Sequence, residues 1–155
     1  MGKVIGGAVA GYIVMFVAVF VLMTVGWTAL GARGSFNPGS WETSTAWVGV
    51  TLVVDILAAL GGGYVAMLIA KRPLGPQMLA GLVIVLGFLM SIPMFTADTS
   101  ALGPRPDAVT MMDAMSKAQQ PLWLVIANPL LGAVFALVGG RLRKAPTATG
   151  GTAPR

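Results

Sequence analysis

The sequence predicts an all-α integral membrane protein, an up-down bundle of four transmembrane helices with both termini in the cytoplasm. Three observations carry that expectation. Of 155 residues, 56% are hydrophobic and only 10% are charged, whereas soluble domains carry roughly a quarter charged residues; mean hydropathy is +0.84. Four apolar stretches reach the ~20 residues that a helix needs to cross a bilayer. The basic residues gather on one side of those stretches. Irregular backbone cannot face lipid, and the short alternating segments of a barrel are missing, so the stretches must be helices.

The spans are expected at about 4–30, 46–70, 77–95 and 122–140. The first is too long for the ~7–15-residue apolar core of a cleaved signal peptide, so it reads as a retained helix. Its start, Met1-Gly2-Lys3-Val4-Ile5-Gly6, lacks the Ser or Thr of a myristoylation signal. Lys71-Arg72-Pro73-Leu74-Gly75-Pro76 is a short, turn-rich loop, which makes spans two and three an antiparallel hairpin. The loop before span two holds the turn signal Asn37-Pro38-Gly39. In the longest loop, 96–121, a short helix is expected over 107–119, capped by Asp107, lying on the membrane surface or over the bundle mouth. Residues 1–144 thus form one membrane domain. The tail 145–155, rich in Ala, Thr, Gly and Pro, reads as a disordered cytoplasmic segment.

Charge sets the orientation. One side holds Lys3, Lys71, Arg72, Arg141, Arg143, Lys144 and Arg155 with no acid, a charge of +7. The other holds Arg33, Arg105 and Lys117 against Glu42, Asp98, Asp107 and Asp113, a charge of −1. The positive-inside rule places the first side in the cytoplasm. Trp27, Trp47 and Trp123 then fall at the outer interface, where tryptophan anchors helices, and Trp41 falls in the first outer loop. A sharper reading makes the tryptophans line an outer pocket for a lipid or apolar ligand.

Helices in lipid associate through close packing of small residues. Gly7 and Gly11 supply such a stripe in span one, Ala58, Gly62 and Ala66 in span two, and Gly132, Ala136 and Gly140 in span four. These stripes can serve contacts within the chain or between copies.

Asp55 is the one ionisable residue within a span. A carboxylate there costs about 2.5–3.5 kcal/mol on insertion scales, so it must face protein or water. At ~1.5 Å of rise per residue, Asp55, Asn128, Thr24 and Ser91 all fall in the outer third of their spans. The last three can donate hydrogen bonds to a carboxylate, which makes the four a candidate intramembrane polar site. Asp55 is then either a structural anchor held by these donors, a proton or cation site reached from outside, or the partner of another subunit's cation. Met90, Met94, Met111, Met112 and Met115 gather toward the outer side, as flexible apolar filler or as soft Cu(I) ligands.

Absences narrow the chemistry. The chain has no Cys and no His, which removes thiolate nucleophiles, Ser-His-Asp arrangements and histidine metal sites. No cofactor, resident metal or nucleic-acid partner is expected, and the outer acids Glu42, Asp98, Asp107 and Asp113 match no catalytic spacing.

Lys3 with Gly7 and Gly11, the run Gly62-Gly63-Tyr64-Val65-Ala66 before Lys71-Arg72, and the closing Leu131-Gly132-Ala133 with Gly140-Arg141-Leu142 resemble features of small four-helix bacterial inner-membrane proteins. The resemblance implies a four-helix inner-membrane protein; it implies no activity and carries over no site residue. Small multidrug-resistance exporters also combine four helices with one membrane acid, but theirs is in the first helix, which here has none. The expected role is therefore non-enzymatic: an accessory or scaffold subunit, or a homo-oligomer, embedded in the lipid bilayer with other membrane subunits as partners. The alternative is a small proton- or cation-coupled transporter using Asp55.

Overall fold

The computed structural model describes residues 1–96 and 102–143. They form five helices: α1 Gly2–Ser35, α2 Thr45–Ala70, α3 Leu74–Thr96, α4 Met111–Lys117 and α5 Leu122–Leu142. By length and composition α1, α2, α3 and α5 could each cross a membrane. No strand forms among the described residues; isolated bridges join Phe36 to Thr43 and Glu42 to Gln119. Asp98 and the tail 145–155 lie outside the described residues.

The four long helices sit where the apolar stretches lie, with two differences of boundary. α1 continues past residue 30 to Ser35 and turns at Gly31, where φ is 60° and ψ −174°. That backbone region is open essentially to glycine alone. α3 begins at Leu74 rather than at 77, because Pro76 falls in the first turn, where a missing N–H has no helical acceptor to lose. Between them α2 closes at Lys71, left-handed at φ 53°, whose N–H donates to the Met67 carbonyl.

Small residues set the distances between helices. A methyl on Gly7 would stand 2.7 Å from the Ala66 carbonyl oxygen, and one on Gly11 2.6 Å from that of Gly62. Gly63 abuts the Ala136 backbone and Gly139 abuts the Leu60 backbone. Gly132 meets Val83, Gly87 meets Pro129, and Gly140 meets Pro76. The four long helices thus neighbour one another in the cyclic order α1, α2, α5, α3. Their central core is Ala8, Ala66, Ala136 and Leu79, of which only Leu79 is large. Larger apolar side chains such as Ile13, Phe20 and Val85 stay more than half exposed, the pattern of a bundle whose outer surface meets lipid rather than water.

The segments flanking α4 fold with the 36–44 loop into a cap. Thr43 N–H donates to the Gln119 carbonyl at 3.0 Å and Gln119 N–H to that of Trp41 at 2.9 Å. Trp41 Nε1 donates to the Gly103 carbonyl at 3.1 Å. The buried Arg105 donates from Nε to the Ser40 carbonyl at 3.1 Å and lies 5.5 Å from the Phe36 ring centre. An edge-to-face chain runs Trp47, Trp27, Phe36, Trp41, with ring centres 6.1, 6.3 and 5.9 Å apart.

α4 is shorter than the 107–119 expectation and is capped by Thr110, not by Asp107. Thr110 Oγ1 accepts from the Asp113 N–H at 3.1 Å and donates to Asp113 Oδ2 at 2.6 Å. That reciprocal pair closes the helix N-terminus from both sides. The Thr110 hydroxyl, then Lys117 at 3.3 Å, hold the Asp113 carboxyl below the ordinary carboxylate range.

Candidate functional site

The contact between Gly63 and Ala136 fixes how α2 and α5 are levelled. Eight residues back along each helix from that contact stand Asp55 and Asn128, at the same height because both helices rise equally. With the Asn128 amide oriented by its hydrogen-bond partners, Nδ2 donates to Asp55 Oδ2 at 3.2 Å and to the Leu124 carbonyl at 3.3 Å. Asp55 is half-buried.

The pair lies on the wall of a cavity of about 350 Å³. Ser91 of α3 reaches the same cavity, its hydroxyl donating to the Gly87 carbonyl at 2.7 Å. Pro129 has no N–H, so the Val125 carbonyl one turn earlier, also on this wall, receives no helical bond from it. The wall carries the Asp55 carboxylate and the Asn128 amide. Tyr12 and Met15 of α1 and Val83 of α3 line the cavity too.

Thr24 is not part of this group. Its hydroxyl donates to the Phe20 carbonyl at 2.8 Å, the local bond by which a threonine in an apolar helix satisfies itself. Ser91 likewise donates to its own helix. Among the described residues Asn128 is thus the one side chain that donates to Asp55.

A second cavity of about 360 Å³ adjoins the first and shares Phe16, Val19, Met94 and Gln120 with it. Trp27, Trp47 and the methionines Met23, Met111 and Met115 line it, and α4 covers it through Ala114. Trp27 and Trp47 thus pack into protein, whereas Trp123 is 55% exposed on α5. Met90 and Met94 border the first cavity, while Met112 points away at 76% exposure. No cluster of three or more His, Cys, Asp or Glu that could hold a metal occurs among the described residues.

The small-residue stripes face inward. Gly7 and Gly11 lie against Gly62, Ala66 and Ala70, while Ala58, Ala66 and Ala136 are almost fully buried. Gly132 and Gly140 lie against Val83 and Pro76 of α3. Gln120, Tyr12 and Met23 were not singled out by sequence. Gln120 precedes a proline at a helix start, and the other two read as ordinary apolar-face residues. Comparison with protein-family models, with curated proteins and with solved structures finds no match for this chain.

Proposed function

We propose that this chain is a non-enzymatic protein of the bacterial inner membrane, an up-down bundle with both termini in the cytoplasm, that binds a proton or cation at Asp55 and carries it. The observation that carries this reading is the placement of the carboxylate. Asp55 has a single side-chain donor among the described residues and borders an open cavity, where a structural anchor would be enclosed by donors. A carboxylate at membrane depth that faces a cavity is the usual mark of an ion or proton path. The paired contacts support the up-down arrangement: residue numbers rise in α1 as they fall in α2, and rise in α3 as they fall in α5. The +7 charge of the other face supports the orientation.

A homo-oligomer built on the small-residue faces gains no support here, because Gly7, Gly11, Gly132 and Gly140 already lie against other helices of the chain. The test is flux in proteoliposomes under proton, Na⁺ and K⁺ gradients. Wild type is expected to dissipate one of them, and Asp55→Asn to abolish that flux while keeping its fold. Absence of flux for every gradient, or equal flux in the mutant, would remove the carrier reading.

A further inference from the structure

We infer that the species held at Asp55 is an amphipathic organic cation that enters sideways from the bilayer, with its charged group at Asp55 and its apolar body in the second cavity. The inference rests on the carrier reading above and specifies its ligand.

Charge complementarity comes first. Among the described residues Asp55 is the sole charged side chain bordering either cavity. A carboxylate drawn out of water with one hydrogen-bond partner is costly unless a cation joins it. Apart from Tyr12, Ser91, Gln120 and Asn128, the rest of the described lining is apolar, which suits a cation whose charge is carried on a hydrophobic body better than a hydrated metal ion.

Continuity comes second. The cavities meet at Phe16, Val19, Met94 and Gln120. A single molecule can therefore touch Asp55 and still reach Trp27 and Trp47. Each volume lies near the lower end of the ~300–1,000 Å³ usual for small-molecule sites, and together they suit an elongated or multi-ring occupant.

Access comes third. α1 and α3 touch near Gly11 and Leu79, but further along the two helices Phe16 and Met90 stand on the cavity wall while 66% and 75% exposed. A wall residue that is also exposed marks an opening, and this one faces the apolar flank of the bundle. The cap covers the second cavity from its end. Entry is thus lateral, available to a solute already dissolved in lipid.

The wall chemistry suggests breadth. Six of the ten methionines, Met15, Met23, Met90, Met94, Met111 and Met115, line the two cavities. Methionine walls repack around different shapes, and the faces of Trp27 and Trp47 attract cations.

The test uses the full chain in phosphatidylcholine vesicles, with tetraphenylphosphonium as probe, triphenylphosphine oxide as its neutral counterpart, and empty vesicles as the partition blank. Tryptophan fluorescence reads occupancy, since Trp27 and Trp47 line the second cavity. Saturable quenching by the cation is expected, weakened at least tenfold by Asp55→Asn and retained by Asp55→Glu, with the neutral probe bound at least tenfold more weakly. Equal binding of both probes, or of the cation by wild type and Asp55→Asn, would overturn the inference in favour of simple partition into an apolar pocket. Lack of tetraphenylphosphonium binding alongside an Asp55-dependent proton or Na⁺ flux would overturn it and leave the carrier reading intact. Lack of both would remove the two together.

Discussion

At the scale of single residues, hydrogen-bond donors divide sharply by where they spend their protons. Asn128 donates to Asp55, whereas Thr24 donates to its own helix. Losing a hydrogen bond to a charged group costs about 1.5–3 kcal/mol. Asn128→Ala leaves the empty carboxylate without its donor and is therefore expected to tighten proton or cation binding at Asp55, by at most roughly ten- to a hundredfold, while Thr24→Val leaves it unchanged. Glycines offer a matched pair of controls. Gly63 abuts the Ala136 backbone and Gly61 has open space around its missing side chain. Gly63→Ala should destabilise the protein by about 1–3 kcal/mol in thermal unfolding in mild detergent, the cost of overpacking. Gly61→Ala should be neutral or slightly stabilising, since alanine favours the helix.

At the scale of elements, two short features hold the cap to the bundle. The Gly31 turn re-aims the last residues of α1 so that Phe36 meets Trp27 and Trp41. Gly31→Val forces a branched side chain into a conformation that costs about 1–3 kcal/mol, and hydrogen exchange in the 36–44 loop should accelerate accordingly. α4 depends on Asp113. Because the folded carboxyl is depressed below the ordinary range, its contribution is fully present above the unfolded value near 3.9 and is lost as pH falls through the lower folded value. Protection factors of the α4 amides, which are corrected for the intrinsic exchange rate, are thus expected to fall at acid pH, and Asp113→Asn to remove that dependence. α4 is only half legible in the sequence. Asp107 is a good cap by residue type, but Thr110 with Asp113 three residues on makes two reciprocal bonds that a lone aspartate cannot.

At the scale of the whole molecule, apolar stretches long enough to span lipid are unambiguous in sequence, and the four long helices lie on them. Counting helical rise in the sequence puts Asp55, Asn128, Thr24 and Ser91 in the outer third of their spans, and in the structure Asp55, Ser91 and Asn128 border the first cavity. The cap was not legible in this way. Its bonds join Trp41 to Gly103 and Arg105 to Ser40, more than sixty residues apart, and irregular segments carry no period from which a partner could be read. The cavities were invisible for a related reason, since a void arises from how helices diverge, not from any one helix. The proposed orientation has a direct check that the cysteine-free chain makes clean. Ser116→Cys, exposed on α4, should react with an impermeant maleimide on intact cells, and Thr147→Cys only after permeabilisation. The reverse pattern would invert the bundle.

The sulfur-rich walls bring a chemical vulnerability of their own. Oxidation turns a methionine thioether into a polar, chiral sulfoxide, and Met90, Met94 and Met115 are accessible enough to meet an oxidant. Mild peroxide should therefore blunt the protein's grip on an apolar guest while the helices, whose Gly7–Ala66 and Gly63–Ala136 contacts contain no sulfur, stay folded. Methionine sulfoxide reductase would restore it, so the lining that accommodates varied shapes also makes occupancy answerable to oxidative stress.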